Sequence, residues 1–312
     1  MQNAEPFLRW AGGKRWLAKS LAPLIAVRLG NDGTYFEPFL GAGAIFFAVE
    51  PGRAVLSDLN EDLVTTFNEV ARRPRVVVNR LLKMGVTKED YEHVRCWHPG
   101  SPLDKAVRFI YLNRNCYGGL YRENRHGIFN VPYGGGERNH KGICADGTIL
   151  HAARVLSRPG VRIRAGDFGD TLKYAGCGDV VYCDPTYREV TRKQFDRYGK
   201  IIFRWEDQER LACLSWEACR RGAIVILSNA TCDGVRELYR HAAVVEVMRR
   251  KGLGPTGSQH RAVEYVFILD PLEAWSVWAT LGALEKPRYS FNASTSERTT
   301  IPALTNSRAC SM

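Results

Sequence analysis

Four consecutive residues, Asp184-Pro185-Thr186-Tyr187, follow the apolar run Val180–Cys183 and bring together a carboxylate, a rigid carbonyl and an aromatic ring. That set suits one task, the activation of an amine attached to an aromatic base. Such an amine is a poor nucleophile because its lone pair is delocalised into the ring. Acceptors aimed at its two hydrogens, here the Asp184 carboxylate and the Pro185 carbonyl, draw the nitrogen towards tetrahedral geometry. Proline fixes the backbone, so the carbonyl keeps one direction. Tyr187 offers a face on which a base taken out of its stack can lie. A methyl group on a sulfonium is already activated, so alignment for in-line attack is the main remaining task. An ordinary turn is the plainer reading of the same four residues.

A second constellation lies earlier in the chain. Phe36-Glu37-Pro38-Phe39-Leu40-Gly41-Ala42-Gly43-Ala44 leaves a strand and enters a helix, and Asp58 closes the next strand. Glycines let the backbone turn sharply and come close to a ligand, and a helix start supplies unpaired N–H groups. An acid at the end of the second strand can accept hydrogen bonds from ribose hydroxyls. The dinucleotide fingerprint is incomplete because GAGAIF lacks a third glycine, so a nucleoside without a pyrophosphate fits better. A tight βα turn with a capping acid is the structural alternative.

Positioning these groups requires a sheet whose strand ends converge. Short, mostly apolar runs at Thr34–Leu40, Ala54–Asp58, Val161–Ala165, Asp179–Asp184, Ala223–Asn229, Ala242–Met248 and Ala262–Leu269 read as strands buried on both faces. Helical stretches at Ala44–Glu50, Glu61–Ala71, Gln208–Arg221 and Gly234–His241 follow several of them. The alternation predicts a doubly wound α/β fold with a mostly parallel sheet. Only a glycine-rich loop, Arg249–Arg261, joins the last two runs, which predicts a hairpin and one antiparallel edge. Residues 1–58 and 161–285 then form a discontinuous catalytic domain, and 59–160 an insertion that is helical at first and later dense in Gly, Asn, Arg and Tyr. The Ser/Thr-rich stretch 286–312 reads as a disordered tail.

Composition narrows the partners. Net charge is +11, which favours a polyanion through attraction to phosphates and release of counterions. No apolar run is long enough to cross a bilayer and MQNAEPFLRW lacks a signal-peptide core, so a cytoplasmic, DNA-associated protein is expected, not a membrane protein. The nine cysteines show no C-x-x-C pair, so free thiols are expected and no metal. His93, Cys96 and His98 lie close together, but a surface helix end is the better reading there than zinc.

With the tetrapeptide in place, the chain resembles the Dam-type (D12 class) DNA N6-adenine methyltransferases over about residues 5–270. PFLRWAGGK (6–14), EPFLGAGA (37–44), LSDLNEDL (56–63), AGDF (165–168), CDPTY (183–187) and SNA (228–230) follow the family's order of blocks. The resemblance implies a class I S-adenosylmethionine-dependent methyltransferase fold, Rossmann-like with a seven-stranded mixed sheet and a helical DNA-recognition insertion. It implies S-adenosylmethionine held by Trp10, Lys14, Phe39, Gly41, Asp58, Asp167, Phe168 and Asp184, with catalysis by Asp184, Pro185 and Tyr187. FIYLNRNCYGGLYRENRHGIFNVPYG (109–134) resembles the recognition segment, which implies double-stranded DNA contacts from Arg9, Tyr117, Leu120, Arg122, Asn124 and Arg125. By position, Tyr117 and Leu120 would wedge into the opened stack and Arg122 would read a guanine. Phosphate contact or solvated surface is the alternative for the arginines. Three positions depart from the family pattern: Thr186 replaces a second proline, Gly118 stands where asparagine is common, and Arg9 stands where lysine is more familiar, and the last two leave the target sequence open.

The expected activity is site-specific or relaxed N6-adenine methylation of duplex DNA by a monomer or weak dimer, in the manner of a restriction-modification enzyme. N4-cytosine methylation and a catalytically silent DNA-binding module are the rival readings, and RNA is a rival substrate.

Overall fold

The computed structural model describes residues 3–10, 12–124, 126–135, 146–185, 203–250 and 261–272. Thr186, Tyr187, Arg125, most of the basic loops Arg188–Arg204 and Arg249–Arg261, and the 286–312 stretch lie outside them.

Seven strands form one sheet: β1 (Tyr35–Glu37), β2 (Ala54–Asp58), β3 (Val161–Ala165), β4 (Val180–Cys183), β5 (Ile224–Ala230), β6 (Ala243–Arg250) and β7 (Arg261–Leu269). Their order is β3-β2-β1-β4-β5-β7-β6. The first five are parallel, and β7 pairs antiparallel with both β5 and β6. The Rossmann-like mixed sheet and its antiparallel edge thus agree with the sequence expectation. The position of β7 between β5 and β6 does not follow from the hairpin alone. β1 is shorter than the expected Thr34–Leu40 because Pro38 has no N–H for the ladder.

The helices are α1 (Arg15–Leu29), α2 (Ala44–Val49), α3 (Glu61–Arg72), α4 (Pro74–Leu82), α5 (Lys88–Cys96), α6 (Pro102–Asn115), α7 (Asp146–Leu156), α8 (Phe168–Leu172), α9 (Trp205–Arg220) and α10 (Asp233–Leu238). Local chemistry starts several of them. Asn60 accepts the Leu63 N–H at 2.9 Å to begin α3. Thr87 and Asp90 form a reciprocal cap on α5, and Ser101 caps α6 ahead of Pro102. α5 ends at Cys96, so the His93–Cys96–His98 group is a surface helix end, as expected. α1 was not among the expected helices, because Pro23 sits inside it and cannot donate to the preceding turn. Its buried stripe of Leu17, Leu21, Ile25 and Leu29 outweighs that loss.

Two apolar clusters flank the sheet, and alternate residues of the central strands feed them. Val180, Tyr182, Ile224 and Ile226 face the cluster built on α1, α2, α3 and α6. Val181, Cys183, Val225 and Leu227 face the cluster built on α8, α9 and α10. This period of two across doubly covered strands explains why their sequences are continuously apolar. The first cluster continues from the sheet through Phe7, Phe47 and Phe67 to Tyr91 and Tyr111 of α5 and α6. The helices that lead into the 109–134 segment are therefore packed into the same core as α2, the helix after the glycine turn. No helix among the described residues is long and apolar enough to cross a membrane.

Candidate active site at the carboxyl ends of the strands

β1 lies between β2 and β4, and the chain leaves these two neighbours on opposite sides. In an open α/β sheet this switch point forms the ligand crevice. The glycine turn after β1 opens it. Gly41 adopts φ +48°, and an added Cβ would come within 2.9 Å of the Trp10 indole, so conformation and space both require glycine. The Gly41 N–H donates to Asp58 Oδ2 and the Asn60 N–H donates to Asp58 Oδ1, each at 3.0 Å. Asp58 therefore fastens the glycine turn to the start of α3, in keeping with the capping acid that the sequence offered as the structural alternative. Burial raises its pKa, against the opposing effect of these backbone N–H groups.

Glu37, at the end of β1, is fully enclosed. Its Oε2 accepts the Tyr35 hydroxyl at 2.9 Å and the Phe46 N–H at 3.1 Å. Burial pushes its carboxyl up to about 8; bonds from Tyr35 and Phe46 oppose the rise, and the charges of Asp184 and Asp58 add to it. A glutamate beside two aromatics in a three-residue buried strand was the available signal for this site.

Asp184 leaves the end of β4, where the Tyr182 hydroxyl and Ser228 Oγ meet at 2.8 Å and tie β4 to β5. Lys14 Nζ lies 2.9 Å from Asp184 Oδ1 and 3.3 Å from Glu264 Oε2, and it donates to the Gly12 carbonyl at 3.2 Å. With Lys14 only 3% exposed, this cation is enclosed between the carboxylates of β4 and β7. An ion group so desolvated depends on each member having its counter-charge. Sequence reasoning missed Glu264, although a charge inside the apolar run Ala262–Leu269 is the kind of exception that marks a paired group.

Asp167 caps the short helix α8. Its Oδ1 accepts the Gly169 N–H at 2.8 Å and Arg210 Nη1 at 2.6 Å, while Oδ2 accepts Arg210 Nη2 at 2.7 Å. The Arg210 bonds hold the Asp167 pKa low, burial opposes them, and the Gly169 amide adds to the lowering. Phe168 stacks on Phe39, with ring centroids 5.4 Å apart and planes 26° apart. Nothing in the sequence of α9 distinguished Arg210 from a surface arginine.

The residues that the sequence assigned to DNA contact form a second group, tied to the first through the block at 6–14. Buried Asn113 of α6 accepts the Arg9 N–H at 2.8 Å and donates to the Arg9 carbonyl at 2.7 Å. The Trp10 indole stacks on Tyr121 at 6.1 Å with planes 20° apart, so this ring touches both the glycine turn and the 109–134 segment. Tyr117 and Leu120 project from a single helical turn and are 63% and 37% exposed. Between them Gly118 takes φ +63°, a left-handed backbone that glycine and asparagine share most easily. Arg122 Nε donates to Asn130 Oδ1 at 2.8 Å. Asn124 Oδ1 accepts the His126 and Ile128 N–H groups at 2.9 and 3.1 Å, which closes the turn that follows. Among the described residues, no group of three or more His, Cys, Asp or Glu could hold a metal ion.

Residues 10–253 match the sequence model of the family described as D12 class N6 adenine-specific DNA methyltransferase. The Type II methyltransferase M1.LlaDCHI of Lactococcus lactis subsp. cremoris is 30% identical over 275 residues, covering 85% of this chain and 95% of that protein. The Type II methyltransferase M.MjaIII of Methanocaldococcus jannaschii is 31% identical over 289 residues, covering 86% and 99%. The DNA adenine methylase of Escherichia coli K12 is 31% identical over 276 residues, covering 86% and 96%.

Proposed function

This chain belongs to the D12 class of N6 adenine-specific DNA methyltransferases, and on that premise we propose how its residues divide the work of methylating adenine N6 in DNA. The observation that carries the reading is the Lys14–Asp184 pair, which stands at the end of β4 beside the glycine turn of β1. The methyl donor in this reading is S-adenosylmethionine, which supplies an electrophilic methyl on a sulfonium sulfur. Trp10, Lys14, Phe39, Gly41, Asp58, Asp167, Phe168 and Asp184 would hold it. They fit a nucleoside without a pyrophosphate: the carboxylates after β2 and β3 suit ribose hydroxyls and an amine, and would repel phosphates.

Asp184 accepts a hydrogen bond from the target amine, and its bond to Lys14 fixes the plane in which it accepts. Pro185 provides the second acceptor through its carbonyl, and Tyr187 the stacking face. Glu264 shares the charge of Lys14, so the cation holds Asp184 in place without fully neutralising it. Arg9, Tyr117, Leu120, Arg122, Asn124 and Arg125 engage duplex DNA. Tyr117 and Leu120 take the opened stack, and Arg122, steadied by Asn130, meets a guanine edge.

The test is methyl transfer from labelled S-adenosylmethionine to duplex DNA and to RNA, followed by digestion to nucleosides and mass spectrometry. N6-methyladenine from duplex DNA is expected. N4-methylcytosine, or label in RNA alone, would overturn the reading.

A further inference from the structure

Arg210 is held on three sides. Its guanidinium lies over the Phe168 ring at 4.0 Å from the centroid, grips both oxygens of Asp167, and stands 3.5 Å from Asp207 Oδ1. Space around the pair is tight. A Cβ on Gly169 would come within 2.9 Å of Asp167 Oδ1 and 3.3 Å of Arg210 Nη1. A carboxylate offers about four acceptor positions. Here three are taken, two by the planar fork of Arg210 and one by the Gly169 amide. The carboxylate cannot turn without losing both guanidinium bonds, so its remaining capacity points in one direction and can only accept. The same arginine fixes Phe168, against whose ring Phe39 stacks. One side chain thus sets both the acceptor and the aromatic surface at this end of the crevice.

We propose that Arg210 is a specificity-determining residue for the cofactor's base: by clamping Asp167, it makes the site select a purine with an amine at position 6 over one with an oxygen there. The proposal rests on the assignment of Asp167 to the cofactor adenine. A 6-amino group donates to the fixed carboxylate. A 6-oxo group would set oxygen against oxygen, and the clamp denies Asp167 the rotation that would relieve it. A lysine in place of Arg210 could hold one oxygen as a point charge but could not grip both. Arg210 is half-exposed on α9, so its replacement leaves the core intact.

The test measures binding by calorimetry, without turnover. S-adenosylhomocysteine and its 6-oxo analogue S-inosylhomocysteine are titrated into the wild-type protein and into Arg210→Met, Arg210→Lys and Asp167→Asn, with circular dichroism to verify folding. The wild type is expected to prefer the 6-amino compound by roughly tenfold to a hundredfold, since the contact is half-exposed and not deeply buried. Arg210→Met should bind S-adenosylhomocysteine more weakly and reduce the preference to about threefold or less, with Arg210→Lys in between. An Arg210→Met variant that keeps the wild-type preference overturns the proposal. So does one that binds S-adenosylhomocysteine more tightly, which would make Arg210 a competitor for Asp167. If Asp167→Asn discriminates as the wild type does, or the wild type binds neither compound, the assignment of Asp167 itself fails and the proposal with it.

Discussion

Around Asp184 the charged groups are enclosed and tied to backbone or to one another, whereas the segment from Tyr117 to Asn130 keeps Tyr117 and Leu120 in the open and ties its polar groups mainly to itself. Glu37 is locked between Tyr35 of its own strand and the start of α2, Asp58 ties the end of β2 to the turn after β1, and Lys14 joins Asp184 to Glu264 of β7. Arg122 and Asn124 are held by neighbours within eight residues of chain. The first arrangement resists any change in charge or shape. The second accepts substitution at little cost to the fold.

The contrast can be broken most severely at Asp184. Asp184→Ala should lower single-turnover methyl transfer by roughly a thousandfold while the circular dichroism spectrum is kept, in line with the loss of a group acting on developing charge. Wild-type turnover would refute the role given to the carboxylate. Lys14→Met leaves Asp184 and Glu264 enclosed without their cation, and should cost about 3 kcal/mol of stability in urea unfolding. A change under 1 kcal/mol would show that the three charges are not interdependent.

Glu37 sharpens the comparison through pH. The unfolded chain loses the Glu37 proton above about 4.5, whereas the folded protein keeps it until about 8. The unfolded state is therefore the one stabilised by ionisation across that window, and Glu37 makes stability fall as pH rises through it. Glu37→Gln should flatten the decline in urea midpoint between pH 5 and pH 8, and an unchanged slope would count against a neutral Glu37. The smallest effect belongs to the open segment. Gly118→Asn keeps a backbone that asparagine tolerates, and a new side chain would meet only Leu120, at 3.6 Å. Stability should change by less than about 0.5 kcal/mol, while base-modification sequencing of DNA from an expressing host should report a narrower target. A loss of folding, or an unaltered set of sites, would separate Gly118 from specificity.

The parallel core was legible in the sequence because strands covered on both faces have no polar side, and Val180–Cys183 and Ile224–Leu227 carry that property in their composition. The crevice was legible because glycine turns and strand-end acids fall at strand boundaries. α1 was not, since Pro23 breaks the local helix signal and only its burial restores the element. Glu264 and Arg210 escaped because their partners, Lys14 and Asp167, are far away in the chain. Pairing across such distances leaves no mark on periodicity. The left-handed turn at Gly118 was visible as a departure from a familiar pattern, but its openness became clear only from the backbone.

The place of β7 between β5 and β6 also has a consequence for the newborn protein. Ribosomes deliver the amino end first, so Lys14, the glycine turn and Asp184 all emerge well before Glu264. Until β7 inserts, Lys14 faces Asp184 without its second carboxylate, and β6 has no neighbour through which to join the sheet. The charge group around Lys14 is thus completed by the last strand of the sheet to emerge, and a partly made chain lacks it.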